Sequence, residues 1–183
     1  MVSDQHVGKK MVEENDLEYF IDAYESVTRE KLVVKYASEK PDFICERPDG
    51  TRVGIELTKV MRDPETALWE RTFNHQEYMT NSSALDLVYG TVERKAEKMT
   101  KNKGIGISSI ILVLQLMDCP LSGLKNMLDS DLQNDFTSYR FLEIWIADYT
   151  GLDAYGDIEL FGLSPLKWWG FYERRNPHRK PYG

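Results

Sequence analysis

Two carboxylates flank a tight turn in the stretch PDFICERPDGTRVGIELTK, which covers residues 41–59. Asp42 opens this stretch, and Glu56 follows the turn between the apolar residues Ile55 and Leu57. Two carboxylates at short range repel each other unless a cation lies between them or one of them takes up a proton. Carboxylate oxygens are also the ligands that small, hard cations prefer. The pair therefore indicates a site for a hard metal ion.

The turn between the carboxylates predicts a β-hairpin that brings them together. Residues 48–50 are Pro-Asp-Gly, in which proline presets φ, aspartate caps the bend and glycine accepts a positive φ. The second strand alternates between two faces, with Val53, Ile55 and Leu57 on one and Gly54, Glu56 and Thr58 on the other. Because Asp42 begins the first strand, the hairpin places its carboxylate near that of Glu56.

A lysine on a predicted helix is the second unusual feature of the sequence. The pattern of residues 83–101 predicts a long helix that Ser82 or Ser83 can cap. Its buried stripe consists of Leu85, Val88, Val92, Ala96 and Met99. At about 100° per residue, Lys95 falls inside this stripe and Lys98 flanks it. A lysine in such a place must either extend its ammonium group to water or bind an anion.

The composition is typical of one globular domain spanning residues 1–183, with 42% hydrophobic and 29% charged residues. No apolar run has the length that a bilayer demands, and the N-terminus lacks the apolar stretch of a signal peptide, so we expect a cytoplasmic protein without a membrane partner. Cys45 and Cys119 form no CxxC motif, which leaves a zinc or redox site unsupported. The net charge of −7 weighs against strong, unspecific binding to duplex nucleic acid, although an acidic metal site contributes to that charge itself.

The remaining segments predict a mixed α/β domain. A first helix is expected from Asn15 to Arg29, with Asn15 as its N-cap and Glu18 as the capping-box partner, after a polar and flexible segment at residues 1–13. Further strands are predicted at 32–36, 109–117, 139–149 and, as an edge strand, 157–164, with another helix at 121–134. Gln115 interrupts the apolar run at 109–117 and needs a buried hydrogen-bond partner. The order αβββαβ indicates a mixed central sheet flanked by helices.

Two segments have more than one interpretation. Residues 60–82, with a helical fragment at 64–72, form either an ordinary connection or an insertion over the carboxylate site. Residues 165–183 are an aromatic and basic C-terminal segment. Its Trp168-Trp169 pair favours core or rim packing over base stacking. Its cationic side chains form either a solubilising end or a phosphate contact, and they are Arg174, Arg175, His178, Arg179 and Lys180.

With Pro41-Asp42, then Glu56-Leu57-Thr58 one hairpin later, and the αβββαβ order, the chain resembles the PD-(D/E)XK nuclease superfamily, which has the restriction endonuclease-like fold. The resemblance implies Mg²⁺ or Mn²⁺ held by Asp42, Glu56 and the backbone carbonyl of Leu57. It further implies hydrolysis of phosphodiester bonds in a nucleic acid, DNA in the first instance, and it is compatible with a homodimer. It also implies a helix-borne carboxylate, for which Glu18 is the first choice and Glu25 the rival.

The lysine of the motif is missing, because its position is occupied by Thr58. Lys59 follows one residue too late and, by strand alternation, points away from Glu56. Some members of the superfamily carry this lysine on the helix that packs on the sheet, so Lys95 is the expected replacement and Lys98 the second choice. Thr58 can hydrogen-bond a water molecule or a ligand but cannot supply the charge.

The sequence therefore leaves two functions open. The first is a Mg²⁺-dependent nuclease in which Asp42 and Glu56 bind the metal and Lys95 contacts the phosphate or the attacking water. The second is a catalytically inactive nuclease-fold protein that serves as a nucleic-acid or protein interaction module. A small α/β domain unrelated to nucleases is a third reading. A catalyst needs the ion, whereas an interaction module is indifferent to it.

Overall fold

The computed structural model describes residues 4–102, 104–129 and 132–173, which form a helix-flanked mixed sheet. Its strands are β1 (Val33–Ala37), β2 (Phe43–Glu46), β3 (Arg52–Val60), β4 (Ile110–Leu116), β5 (Glu143–Asp148), β6 (Glu159–Ser164) and β7 (Gly170–Tyr172). The strands lie side by side in chain order. Strands β3, β4 and β5 are parallel to one another, while the pairs β1–β2, β2–β3, β5–β6 and β6–β7 are antiparallel.

Helices connect the parallel strands and cover both faces of the sheet. They are α1 (Asp4–Thr28), α2 (Pro64–Phe73), α3 (Asn81–Thr100), α4 (Leu121–Leu124), α5 (Gln133–Thr137) and α6 (Leu152–Tyr155). Parallel neighbours need a long crossover, which α2 and α3 supply between β3 and β4, and α4 and α5 between β4 and β5. The mixed α/β fold with a helix-flanked sheet is thus confirmed.

The core divides into two layers, one on each face of the sheet. One layer packs α1 against the sheet and includes Leu17, Phe20, Tyr24, Val53, Ile55 and Leu57. The other packs α3 against the sheet and includes Val88, Val92, Leu112 and Leu114. Every residue of β4 is buried because the strand is covered on both sides, which explains its nearly uninterrupted apolar sequence.

Helix α1 is longer than the sequence pattern predicts. It begins at Asp4, so Asn15 lies inside the helix and its predicted role as N-cap is wrong. The apolar periodicity starts only at Leu17, because none of residues 8–16 is buried and they form no apolar stripe. The predicted flexibility of residues 1–13 stays a prediction, although the part of it from Asp4 onward is helical.

Three further boundaries differ from the sequence-based prediction. Thr80 caps α3, accepting a hydrogen bond of 3.3 Å from the amide of Ser83, so the predicted cap at Ser82 or Ser83 is wrong. The predicted single helix at 121–134 is instead divided between α4, a 3₁₀ turn at 125–127 and α5. Strand β7, which the sequence analysis does not predict, follows the two tryptophans near the end of the described chain.

Trp168 and Trp169 pack against aromatic side chains of the core. The ring of Trp168 lies 6.0 Å from that of the fully buried Trp145, and the ring of Trp169 meets Phe161 edge-on at 5.2 Å. Both tryptophans are half-buried and pack on core residues, so the predicted core or rim packing of this pair is confirmed. The cationic tail that follows, from Arg174 to the end of the chain, lies outside the described residues. Among the described helices, none combines the length and the apolar character that crossing a membrane requires.

Buried ion pairs anchor the connection between β3 and α3. The guanidinium of Arg62 donates to both carboxylate oxygens of Asp118, at 2.5 and 2.8 Å, and to Glu70 of α2 at 2.8 Å. The side chains of Arg62 and Asp118 are only 6% and 3% exposed. Because Arg62 also donates to the carbonyls of Gln76 and Glu77, the loop after α2 is held against the end of the sheet.

Candidate functional site

Asp42 and Glu56 are hydrogen-bonded to each other's strand. The amide of Asp42 donates to Glu56 Oε2 at 3.1 Å, and the amide of Leu57 donates to Asp42 Oδ2 at 2.8 Å. Glu56 is 4% exposed, and Asp42 is half-buried. The hairpin thus brings the two carboxylates together, as its alternation and turn chemistry predict.

The register of the hairpin explains this contact. Phe43, the first residue of β2, pairs with Ile55, so the next step outward places Asp42 opposite Glu56 where β2 begins. Gly50 has a φ of 85° in the turn, a value that glycine adopts without strain. The turn fixes the register, and the register determines which carboxylates meet.

Gly54 and Pro41 bring the segment before β2 close to β3. A Cβ atom at Gly54 would overlap the ring of Pro41, so the absence of a side chain there allows Pro41 to lie directly on the strand. Asn102, just after α3, donates from Nδ2 to the carbonyl of Lys40 at 3.0 Å. The segment that leads into Asp42 is therefore held by β3 and by the residue after α3.

Lys95 is the cation of this site. Its Nζ lies 2.7 Å from Glu56 Oε1, and the two side chains are 23% and 5% exposed. Helix α3 carries Lys95 on the face that packs on the sheet, one turn after the buried Thr91 and Val92. The sequence allows Lys95 either to extend its ammonium group to water or to bind an anion. In the structure it binds an anion, the carboxylate of Glu56.

The pKa of Asp42 is raised from its ordinary 3.8 to about 7. Burial is the main cause, because a charged carboxylate loses hydration there, and repulsion from Glu56 is the second. The hydrogen bond from the Leu57 amide opposes the rise of the pKa, the Glu13 carboxylate adds to it, and Lys95 opposes it weakly. Near neutral pH this carboxyl group can therefore exchange its proton for another cation.

Glu13 is the α1 carboxylate that acts electrostatically on Asp42, and the sequence analysis missed it. Its side chain is 28% exposed, whereas Glu18 is exposed and makes no hydrogen bond or ion pair with the described residues. Glu25 lies farther along α1, where it lines a separate cavity of about 450 Å³ with Asp22 and Arg29. A signal for Glu13 did exist, because it precedes the buried Leu17 by four residues and so shares its side of the helix.

The other predicted site residues differ in whether they lie near the carboxylate pair. The amide of Leu57 faces Asp42, and in a strand the carbonyl of a residue points to the same side as its amide, so the Leu57 carbonyl faces the carboxylate as well. Thr58 is half-buried in the same strand. Lys59 and Lys98 are exposed, and Lys59 pairs in register with Gln115, on the face opposite Glu56.

The possible ligand atoms at this site are of the type that a hard cation prefers. Two carboxylates and one carbonyl supply oxygen atoms, and Asp42 has a proton to give up at neutral pH. Across residues 4–102, 104–129 and 132–173, however, no three acidic, histidine or cysteine side chains gather closely enough to hold a metal ion among them. A bound ion would therefore need water molecules to complete its coordination.

Comparisons with protein-family models, with curated proteins and with solved structures give no match for this chain. Its function has to follow from the geometry of the site.

Proposed function

We propose that this protein is a metal-dependent nuclease of the PD-(D/E)XK type, which hydrolyses phosphodiester bonds in DNA with Mg²⁺ or Mn²⁺. The observation that carries the proposal is the contact between three groups. The amide of Asp42 donates to Glu56, whose other oxygen lies 2.7 Å from the ammonium of Lys95. A carboxylate pair beside one lysine is the constellation that the resemblance implies.

The topology supports the restriction endonuclease-like fold as the finer description. An antiparallel β1–β2–β3 meander follows α1, and a helical crossover leads from β3 to the parallel strand β4. This is the αβββαβ order, and it puts both carboxylates on the meander and the lysine on the crossover helix α3. The additional strands β5, β6 and β7 extend the sheet on the far side.

The mechanism that we propose divides the work among few groups. Asp42, Glu56 and the carbonyl of Leu57 would hold the ion, which lowers the pKa of a bound water and offsets charge on the phosphate oxygens. Asp42 would lose its proton as the ion binds, since the pKa of about 7 makes that loss easy near neutral pH. Lys95, oriented by Glu56, would place a positive charge beside the phosphate, where negative charge grows in the transition state.

One observation favours the alternative of an inactive interaction module. Lys95 already neutralises Glu56, so the pair does not depend on a metal ion for its stability. The lysine position of the motif is also filled by Thr58. Such a module would bind its nucleic-acid or protein partner equally well with and without divalent ions.

Calorimetric titration with Mn²⁺ and Mg²⁺, followed by cleavage assays on single-stranded and duplex DNA and on RNA, tests the proposal. We expect Asp42→Asn and Glu56→Gln to abolish both metal binding and cleavage. Glu14→Gln is the matched control, because Glu14 is an exposed acid on α1 next to the site-facing Glu13. Equal heats from all four proteins would refute the metal site. Sedimentation with and without DNA tests whether the protein acts as a dimer.

A further inference from the structure

A cavity of about 480 Å³ lies between the first half of α1 and the ends of β3 and β4, on the face of the sheet opposite the Glu56 side chain. This volume falls within the range of ligand pockets, which is about 300–1,000 Å³. The lining residues that matter here are Lys9, Val12, Glu13, Asp16, Lys59 and Gln115. Leu57 and Thr58 also line the cavity, so it begins where the candidate metal site ends.

The floor of the cavity is a fixed polar network. Gln115, 2% exposed, donates from Nε2 to Asp16 Oδ2 at 2.9 Å, which supplies the buried partner that the sequence predicts for this residue. The hydroxyl of Tyr149 donates to the backbone carbonyl of Asp16 at 2.6 Å. Polar groups that are held in this way fix the orientation of a ligand without reorganising on binding.

Within the described part of the chain, one of the two lysines that line the cavity has no ion-pair partner. Lys9 lies 3.9 Å from Glu13, and Asp16 accepts the hydrogen bond from Gln115. Lys59 is exposed at the mouth and forms no ion pair with the described part of the chain. Strand alternation directs Lys59 away from Glu56 and to the α1 side of β3, where it lies next to Gln115 in the parallel register.

We propose that this cavity binds the nucleotide next to the scissile phosphate, with Lys59 contacting a phosphate of the nucleic-acid chain. The inference rests on the proposed nuclease function. In this cavity Val12 and Leu57 provide apolar surface against which a sugar or base can pack, and the Asp16–Gln115 pair provides polar groups. Lys59 is thereby a substrate-binding residue, distinct from Lys95, which neighbours the reacting group.

Fluorescence anisotropy of a short labelled oligodeoxythymidine, measured in EDTA over a range of salt concentrations, tests this subsite. We expect Lys59→Ala to weaken binding about tenfold and to reduce the slope of log Kd against log salt by about 0.7, the value for one phosphate contact on a single strand. Val12→Trp fills the cavity from the half-exposed surface of α1 and should weaken binding similarly. Lys31→Ala is the control, because Lys31 is also exposed and unpaired among the described residues but lies away from the cavity.

The outcomes separate the subsite from the nuclease proposal. The subsite is supported if Lys59→Ala and Val12→Trp lose affinity for the probe and Lys31→Ala does not. This holds even if the unmodified protein cleaves no substrate, and then only the nuclease proposal fails. Cleavage by a Lys59→Ala variant with unchanged Kd and KM refutes the subsite and leaves the nuclease proposal intact. An equal loss in Lys31→Ala, or an unmodified protein that does not bind the probe, also refutes the subsite.

Discussion

The ammonium of Lys95 and the carboxylate of Glu56 form an ion pair of 2.7 Å across the interface between α3 and the sheet. The pair connects a residue of the crossover helix to the middle of β3, and both groups are mostly shielded from water. A lysine so placed can serve either the carboxylate or a phosphate that approaches it, which makes its replacement informative.

Replacing Lys95 by Gln is expected to lower the cleavage rate about 100-fold, because the transition state loses a fixed positive charge. Metal affinity should rise or stay the same, because Glu56 is then free of its competing cation. Calorimetry and single-turnover cleavage measure the two effects separately. Lys98→Gln, on the exposed side of the same helix, is the control. Full activity of Lys95→Gln would exclude this lysine from catalysis.

Asp42 makes stability depend on pH. Its folded-state pKa of about 7 lies above the ordinary 3.8, so its contribution is fully present below pH 4 and is lost as the pH rises toward and past 7. Asp42→Asn should remove this loss, because asparagine has no charge to bury, and should raise the free energy of unfolding at pH 8 by about 0.5–2 kcal/mol. Urea unfolding of both proteins at pH 5 and pH 8 measures it. Equal pH dependence of the two proteins would contradict the raised pKa.

The same proton should govern metal affinity. Because an ion must displace the proton of Asp42, the apparent affinity for Mn²⁺ should fall about tenfold per pH unit below 7 and level off above it. Titrations in buffers of different ionisation enthalpy would report the proton released. Binding that is independent of pH between 5 and 8 would place the ion elsewhere.

Gly54→Ala is expected to displace Pro41, since the new methyl group would occupy the position of the proline ring. We expect a loss of stability of about 1–3 kcal/mol and, because Asp42 follows Pro41, at least a tenfold loss of metal affinity. Gly90→Ala is the matched control: apart from its chain neighbours and the backbone of α3 itself, no atom lies within 4 Å of the added Cβ, and the change should stabilise α3 by up to about 1 kcal/mol. Unchanged metal affinity in Gly54→Ala would separate Pro41 from the site.

Glu13 and Glu18 give a direct comparison on one helix. Glu13→Gln should lower metal affinity by about tenfold, because it removes a carboxylate that acts on Asp42. Glu18→Gln should have no effect, since its side chain is exposed. Calorimetric titration of both variants decides between them. A larger effect of Glu18→Gln would restore the choice that the family resemblance implies.

Local pattern predicted the hairpin and the lysine because both depend on short-range rules. Turn chemistry and strand alternation suffice to bring Asp42 to Glu56, and helical periodicity suffices to turn Lys95 toward the sheet. The sheet order of β1 to β5 follows from the same alternation of strands and helices.

Tertiary contacts decided what the pattern could not. Helix α1 extends to Asp4, and none of its residues from 8 to 16 is buried, so no periodicity marks these turns and Glu13 was overlooked with them. Strand β7 is only Gly170–Tyr172, too short to show alternation, and its pairing with β6 provides its definition. Within the predicted helix at 121–134, Gly123 lies so close to Asn81 of α3 that a Cβ atom there would overlap the Asn81 side chain.

Helix α1 couples the interior of the protein to its cleft. Leu17, Phe20 and Tyr24 are locked in the core, while Lys9, Glu13 and Asp16 of the same rod line the cavity. A shift of α1 by one helical turn, about 5.4 Å, would remove the buried side chains from their places in the core and move the cavity-lining residues away from the cavity. The packing of α1 in the core therefore sets the position of its cavity-lining carboxylates relative to β3. Substitutions among the buried residues of α1 would change the cavity even though these residues do not line it.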